Sequence, residues 1–133
     1  MRKLFLITAL TLLTISFTAC ANEAGNQSTV ESITASDLAT MIAANNAPFI
    51  LDVRTENEFA AGHVPGAVNI PHTELESRLA ELNNHQDDTI IVYCRSGKRA
   101  GMAEEKLQQN GFTKISDLDG HMLGWEKDGH PVE

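Results

Sequence analysis

The chain has 133 residues, a formal net charge of −8 and 42% hydrophobic residues. This length allows one globular domain, and the composition is ordinary for a soluble one. The acidic excess, without a basic stripe that contains aromatic residues, argues against nucleic acid and against an anionic lipid surface as partners.

The first 20 residues have the pattern of an export signal. Arg2 and Lys3 are followed by an uncharged run from residue 4 to residue 17, and small residues then lead to Cys20. The run is shorter than the roughly 20 apolar residues that cross a bilayer as a helix. A secretory signal is therefore favoured over a permanent membrane span.

The signal ends at Thr18-Ala19-Cys20, which resembles a bacterial lipoprotein processing site. The resemblance implies a lipidated Cys20, with acyl chains as the only membrane attachment. We expect an exported lipoprotein on the periplasmic face of a membrane. The outer membrane is favoured because Ala21, rather than an acidic residue, follows the cysteine. The alternative is an ordinary cleaved signal that leaves a soluble periplasmic protein.

Residues 21–29 are small and polar, which predicts a flexible tether at 21–32 before a folded domain at 33–133. Ser36 is the predicted N-cap of a first helix. The apolar run from Phe49 to Val53 then predicts a buried parallel strand, with Asp52 near its carboxyl end.

The middle of the chain continues the alternation of helices and strands. Thr55 is predicted to cap a short helix, and a turn-rich loop, a short strand at 67–70 and a helix at 74–82 follow. Residues 89–93 are β-branched and apolar and give the strongest strand signal, which leads directly into Cys94.

A helix at about 99–109, a strand at 114–118 and a short helix at 122–125 complete the predicted elements. This alternation predicts an α/β fold with a central, mostly parallel sheet and helices on both faces. Ligands of such sheets bind at the carboxyl ends of the strands, where Asp52 and Cys94 lie.

The segment that starts at Cys94 carries the candidate chemistry: Cys94-Arg95-Ser96-Gly97-Lys98-Arg99. The strand delivers a thiol to a tight loop, and the backbone N–H groups of such a loop, with the following helix N-terminus, favour an anion. Three basic side chains add positive charge. This setting favours the thiolate, the reactive form of cysteine, so the loop predicts a nucleophile that meets an anionic substrate.

A metal site is not expected. Neither cysteine belongs to a Cys-x-x-Cys pair, and no two histidines lie four residues apart. Asp52 and Arg54 are expected to support the site by pairing with loop groups. Arg99 is expected either to face the loop or to pair with an acidic group such as Asp52.

Several separated motifs occur in order along the chain: Asp52-Val53-Arg54, Gly62 to Ala67, Asn69-Ile70-Pro71, the loop from Cys94 to Arg99, and Gly120, Trp125, Gly129 and Pro131-Val132. Together they resemble the rhodanese family from about Ile33 to Val132. The resemblance implies a three-layer rhodanese-like fold. His121 stands where the family commonly has a second glycine, and it either alters the approach to the loop or points to solvent.

The resemblance also implies a function. A six-residue loop goes with sulfur transfer in this superfamily, whereas a loop longer by one residue goes with phosphatases. Cys94 would take a sulfane sulfur from a small anionic donor such as thiosulfate, hold it as a persulfide and pass it to a thiol or protein acceptor. Arg95 and Lys98 would hold the donor, and no metal or organic cofactor is needed. We expect a monomer.

Other functions stay open at this point. A non-catalytic sulfur carrier or protein-binding module would deliver its persulfide to one protein partner. A cysteine-dependent phosphatase or arsenate reductase would use the same thiolate, although the loop length argues against it. A thiol redox role outside the cytoplasm is weakened because no second cysteine lies near Cys94.

Overall fold

The computed structural model describes residues 30–133. Five parallel strands form one sheet in the order β1-β5-β4-β2-β3. The strands are β1 Glu31–Ile33, β2 Phe49–Asp52, β3 Val68–Asn69, β4 Ile90–Tyr93 and β5 Ile115–Leu118. The α-helices are α1 Ala35–Ala43, α2 Glu56–Ala60, α3 Leu75–Arg78, α4 Lys98–Gln109 and α5 His121–Lys127. The predicted α/β fold with a parallel sheet is confirmed.

Helices cover both faces of the sheet, which gives three layers. The side chains of β4 alternate between two apolar clusters. Val92 packs in the cluster that contains side chains of α3 and α4, whereas Ile91 and Tyr93 pack in the cluster with α1 and α5. A parallel strand that is buried on both faces needs a continuous apolar run, and this explains why β4 had the strongest strand signal.

The folded domain begins earlier than the sequence predicted. Residues 31 and 32, assigned to the tether, lie in β1, which pairs with β5 and places Ile33 opposite Leu118. Glu31 and Ser32 are exposed, and of this strand only Ile33 packs against the core. The strand therefore depends largely on backbone pairing, which composition does not reveal. The signal segment, Cys20 and residues 21–29 of the tether lie outside the described residues.

Two helix predictions also need correction. The N-cap of α1 is Thr34 and not Ser36, because the Thr34 hydroxyl accepts the Asp37 N–H at 3.1 Å. The helix predicted at 74–82 is in fact α3 followed by a 3₁₀ helix, Leu79–His85. Within residues 30–133, no helix has the length and apolar character that crossing a membrane requires.

Candidate active site

The site lies where two neighbouring parallel strands end. Asp52 of β2 stands opposite Tyr93 of β4, and the Val53 N–H donates to the Tyr93 carbonyl at 3.0 Å. The chain therefore leaves β4 at Cys94 directly beside the segment that follows β2. This register brings the two candidate motifs to one edge of the sheet.

The main chain of the loop contacts the sulfur of Cys94. The Gly97 N–H donates to Cys94 Sγ at 3.0 Å, and Gly97 is the residue that precedes α4. Its φ of 114° is a backbone conformation that favours glycine. Cys94 is a free cysteine and only 1% exposed. The amino end of α4, with its partial positive charge, thus faces a nearly buried thiol.

Arg99 pairs with Glu58, a residue that the sequence analysis did not single out. Arg99 Nη1 donates to Glu58 Oε2 at 2.6 Å and Nη2 donates to Oε1 at 2.9 Å. These bonds lower the pKa of Glu58 to about 2. They also raise the pKa of Arg99, and Cys94 contributes in the same direction. A fixed positive charge therefore lies close to the thiol.

The position of Glu58 follows from a capping box at the start of α2. Thr55 accepts the N–H of Glu58, and Glu58 in turn accepts the N–H of Thr55. The sequence pattern Thr-x-x-Glu that predicts such a box was the available signal for Glu58. The predicted cap at Thr55 is confirmed. Of the two alternatives expected for Arg99, it pairs with an acidic group, but that group is Glu58 and not Asp52, because Asp52 already has another partner.

That partner is Arg54. Arg54 Nη2 donates to Asp52 Oδ2 at 2.7 Å and to the Gly62 carbonyl at 2.9 Å. Asp52 is 0% and Arg54 is 5% exposed. Burial acts to lower the pKa of Arg54, but the hydrogen bonds and the charge of Asp52 outweigh it and raise that pKa. Asp52 and Arg54 pair with each other, and Arg54 also bonds to Gly62, rather than to the Cys94 loop as expected. They therefore stabilise the edge of the sheet.

The rim of the loop is cationic. Arg95, Ser96 and Lys98 are exposed, and neither Arg95 nor Lys98 forms an ion pair within residues 30–133. Arg95 also lines a cavity of about 180 Å³ beside the loop, whose wall includes Glu58 and Leu123. Two positive side chains are therefore available to an anion that approaches Cys94.

α5 packs directly against the loop. The N–H of Met122 donates to the Cys94 carbonyl at 3.0 Å, and the N–H of Leu123 donates to the Arg95 carbonyl at 3.2 Å. His121, at the start of α5, is 7% exposed and contacts the main chain of Cys94. Of the two alternatives for His121, orientation to solvent is therefore wrong.

A larger cavity lies elsewhere, at the amino ends of the strands. It has a volume of about 570 Å³ and is lined by residues that include Pro48, Phe49 and His85. Cavity size alone would thus miss the thiol. In the described part of the chain, no cluster of three or more histidine, cysteine or acidic side chains could hold a metal ion.

Comparison with known proteins agrees with this geometry. A family model described as "Rhodanese-like domain" matches residues 34–128. A protein of Allochromatium vinosum named "Sulfurtransferase" is 30% identical over 103 residues, which cover 77% of this chain and 94% of the relative. A crystal structure of a rhodanese-related protein from Thermoplasma volcanium is 35% identical with a TM-score of 0.67, covering 77% of this chain and 97% of that chain.

Other relatives are longer proteins. The "Putative sulfur carrier protein YrkF" of Bacillus subtilis is 41% identical over 76 residues, or 57% of this chain and 40% of the relative. Across curated relatives that are 40% to 42% identical, this chain spans 37% to 59% of their length.

Proposed function

Because the chain belongs to the rhodanese-like domain family, we propose that it is a sulfurtransferase in which Cys94 carries sulfur as a persulfide. The observation that carries this proposal is the Gly97 N–H on Cys94 Sγ at 3.0 Å, at the amino end of α4. A main-chain donor at that position stabilises negative charge on sulfur, both in the thiolate and in the persulfide.

The first step uses an anionic sulfane donor, for which thiosulfate is the probe. The Cys94 thiolate attacks the outer sulfur, a new S–S bond forms, and the S–S bond of the donor breaks. Sulfite leaves with the electron pair. Arg95 and Lys98 bind the donor, since both are exposed beside the loop, whereas the charge of Arg99 is held by Glu58.

The second step returns the enzyme to its starting state. An acceptor thiol attacks the outer sulfur of the Cys94 persulfide and leaves as a persulfide that retains the proton of the thiol. Cys94 is released as the thiolate, so no oxidant or reductant is consumed. A sulfur-carrier role is the second candidate, and the similarity to a putative sulfur carrier protein supports it.

The test is the mass of the full chain before and after thiosulfate. We expect a gain of one sulfur atom, with release of one sulfite, in the wild type and in Cys20→Ser. Cys94→Ser is expected to show no gain. If the mass does not increase with thiosulfate, inorganic polysulfide or glutathione persulfide, the proposal is wrong. A persulfide that forms but does not turn over to cyanide or small thiols would favour the carrier role.

We also propose that the protein is exported and lipidated at Cys20, which rests on the pattern of residues 1–20 alone. Growth of the expressing bacterium with an alkyne-labelled fatty acid is expected to label the wild type and not Cys20→Ala. Equal labelling of both proteins, or of neither, would contradict lipidation at this residue.

A further inference from the structure

His121 occupies the space between the Cys94 loop and an acidic pair behind it. The Cys94 N–H donates to His121 Nδ1 at 3.4 Å. On the other side of the ring, Nε2 lies 3.5 Å from Asp117 Oδ2, on β5. The imidazole thus connects the end of β4 to β5.

These contacts determine which nitrogen of the His121 ring carries the proton. A nitrogen that accepts an N–H must carry a lone pair, so Nδ1 is unprotonated in this arrangement. The neutral ring then holds its proton on Nε2, where the Asp117 carboxylate favours it. If both ring nitrogens were protonated, the Nδ1–H group of His121 would face the N–H group of Cys94, and two donors would oppose each other.

The carboxyl group of Asp117 is itself paired with Glu104 of α4. Asp117 Oδ1 and Glu104 Oε1 are buried, and neither has a hydrogen-bond donor within residues 30–133. A proton shared between the two carboxyl groups satisfies both oxygens. Burial, followed by the hydrogen bond and charge of Asp117, raises the pKa of Glu104 to about 8. The raised pKa of Glu104 therefore favours a proton between the two carboxyl groups near neutrality, next to His121.

The backbone of His121 shows that its position is determined by its surroundings. Its φ is 51°, a left-handed conformation that is uncommon for residues other than glycine. A side chain persists there when neighbouring contacts hold it. The ring also fills the space behind Gly97, because a Cβ on Gly97 would lie 2.8 Å from His121 Nε2.

We propose that His121 is a positioning residue: its neutral imidazole, held as the Nε2–H form by Asp117, fixes the main chain of Cys94 and supports Gly97 so that the Gly97 N–H stays on the sulfur. Its role in sulfur transfer rests on the proposed function. The effect of His121 on the reactivity of the Cys94 thiol is independent of the proposed function.

The test compares His121→Gly with His121→Asn. Glycine relieves the left-handed backbone but removes the acceptor, whereas asparagine tolerates this backbone and places Oδ1 near the position of Nδ1. The rate of Cys94 alkylation by iodoacetamide, an uncharged reagent, is measured with Cys20 replaced by serine in every protein. We expect about a tenfold slower rate for His121→Gly and a rate within about threefold of the parent for His121→Asn.

Steady-state kinetics with thiosulfate give a second measurement. Loss of the imidazole is expected to lower kcat and to leave KM within about twofold, because the donor contacts the rim rather than His121. Alkylation of His121→Gly at the parent rate would overturn the proposal. Equal losses in both variants would also overturn it, because they would show that the bulk of the ring and not its acceptor matters.

The tautomer can be measured without a variant. Nitrogen-15 NMR of the imidazole in the full chain is expected to show Nδ1 unprotonated and Nε2 protonated, and the reverse would overturn the proposal even if the variants do not fold. If persulfide never forms while the tautomer and alkylation rates are as expected, the proposed function fails and the role of His121 stands.

Discussion

The carboxyl pair of Glu104 and Asp117 leads to a quantitative prediction for Glu104→Gln. The pKa of Glu104 is raised by burial, and then by Asp117, from 4.5 to about 8. The unfolded chain loses this proton at lower pH than the folded chain does. The stability that the proton provides is therefore fully present below about pH 4.5 and is progressively lost as the pH rises to about 8.

The expected size follows from proton linkage. Within this window, each pH unit removes at most about 1.4 kcal/mol from the free energy of unfolding. Glutamine does not titrate, and its amide donor replaces the shared proton. The stability of Glu104→Gln relative to wild type is therefore expected to increase by up to about 1.4 kcal/mol per pH unit across the window.

Urea unfolding of both proteins at several pH values across this window measures the effect. Glu105→Gln is the matched control, because it makes the same substitution at an exposed neighbour on α4. We expect the difference between Glu104→Gln and wild type to change with pH much more than the difference for the control. A difference that stays constant across the window would refute the shared proton.

Three further predictions concern the loop and its supports. Glu58→Gln keeps a residue that can complete the capping box but removes the ion pair with α4, so unfolding experiments should show a loss of about 1 kcal/mol. Gly97→Ala should destabilise the fold by about 1–3 kcal/mol and slow persulfide formation, because φ is 114° and a Cβ meets an imidazole. Gly101→Ala is its control, since a Cβ there has nothing within 4 Å; equal effects would contradict the strain. Arg95→Ala and Lys98→Ala should each raise KM for thiosulfate by about three- to tenfold at low ionic strength while iodoacetamide alkylation keeps its rate; an unchanged KM would exclude them as donor contacts.

The predictable parts of the fold depended on local signals. β2 and β4 were found because each is an apolar run, and the loop was found because Cys94 follows one of them directly. β1 was not found, because its exposed residues are ordered by hydrogen bonds to a strand more than 80 residues away in the chain. Composition contains no information about such a partner.

The supports of the loop were harder to predict for the same reason. Glu58 meets Arg99 across 41 positions, and only the packing of α2 beside α4 brings them together. His121 faces inward from a left-handed backbone, which the side-chain pattern does not indicate. Chemistry that resides in one continuous segment could be recognised, whereas long-range partners required the structure.

The hydrogen bonds between α5 and the Cys94 loop affect how the loop stabilises negative charge on sulfur. In a trans peptide the C=O and N–H groups point in opposite directions. Since α5 binds the carbonyls of Cys94 and Arg95, the N–H groups of Arg95 and Ser96 must point away from that helix. The peptide dipoles are thus oriented before any sulfur anion arrives, and they need little reorganisation when negative charge moves along the sulfur chain.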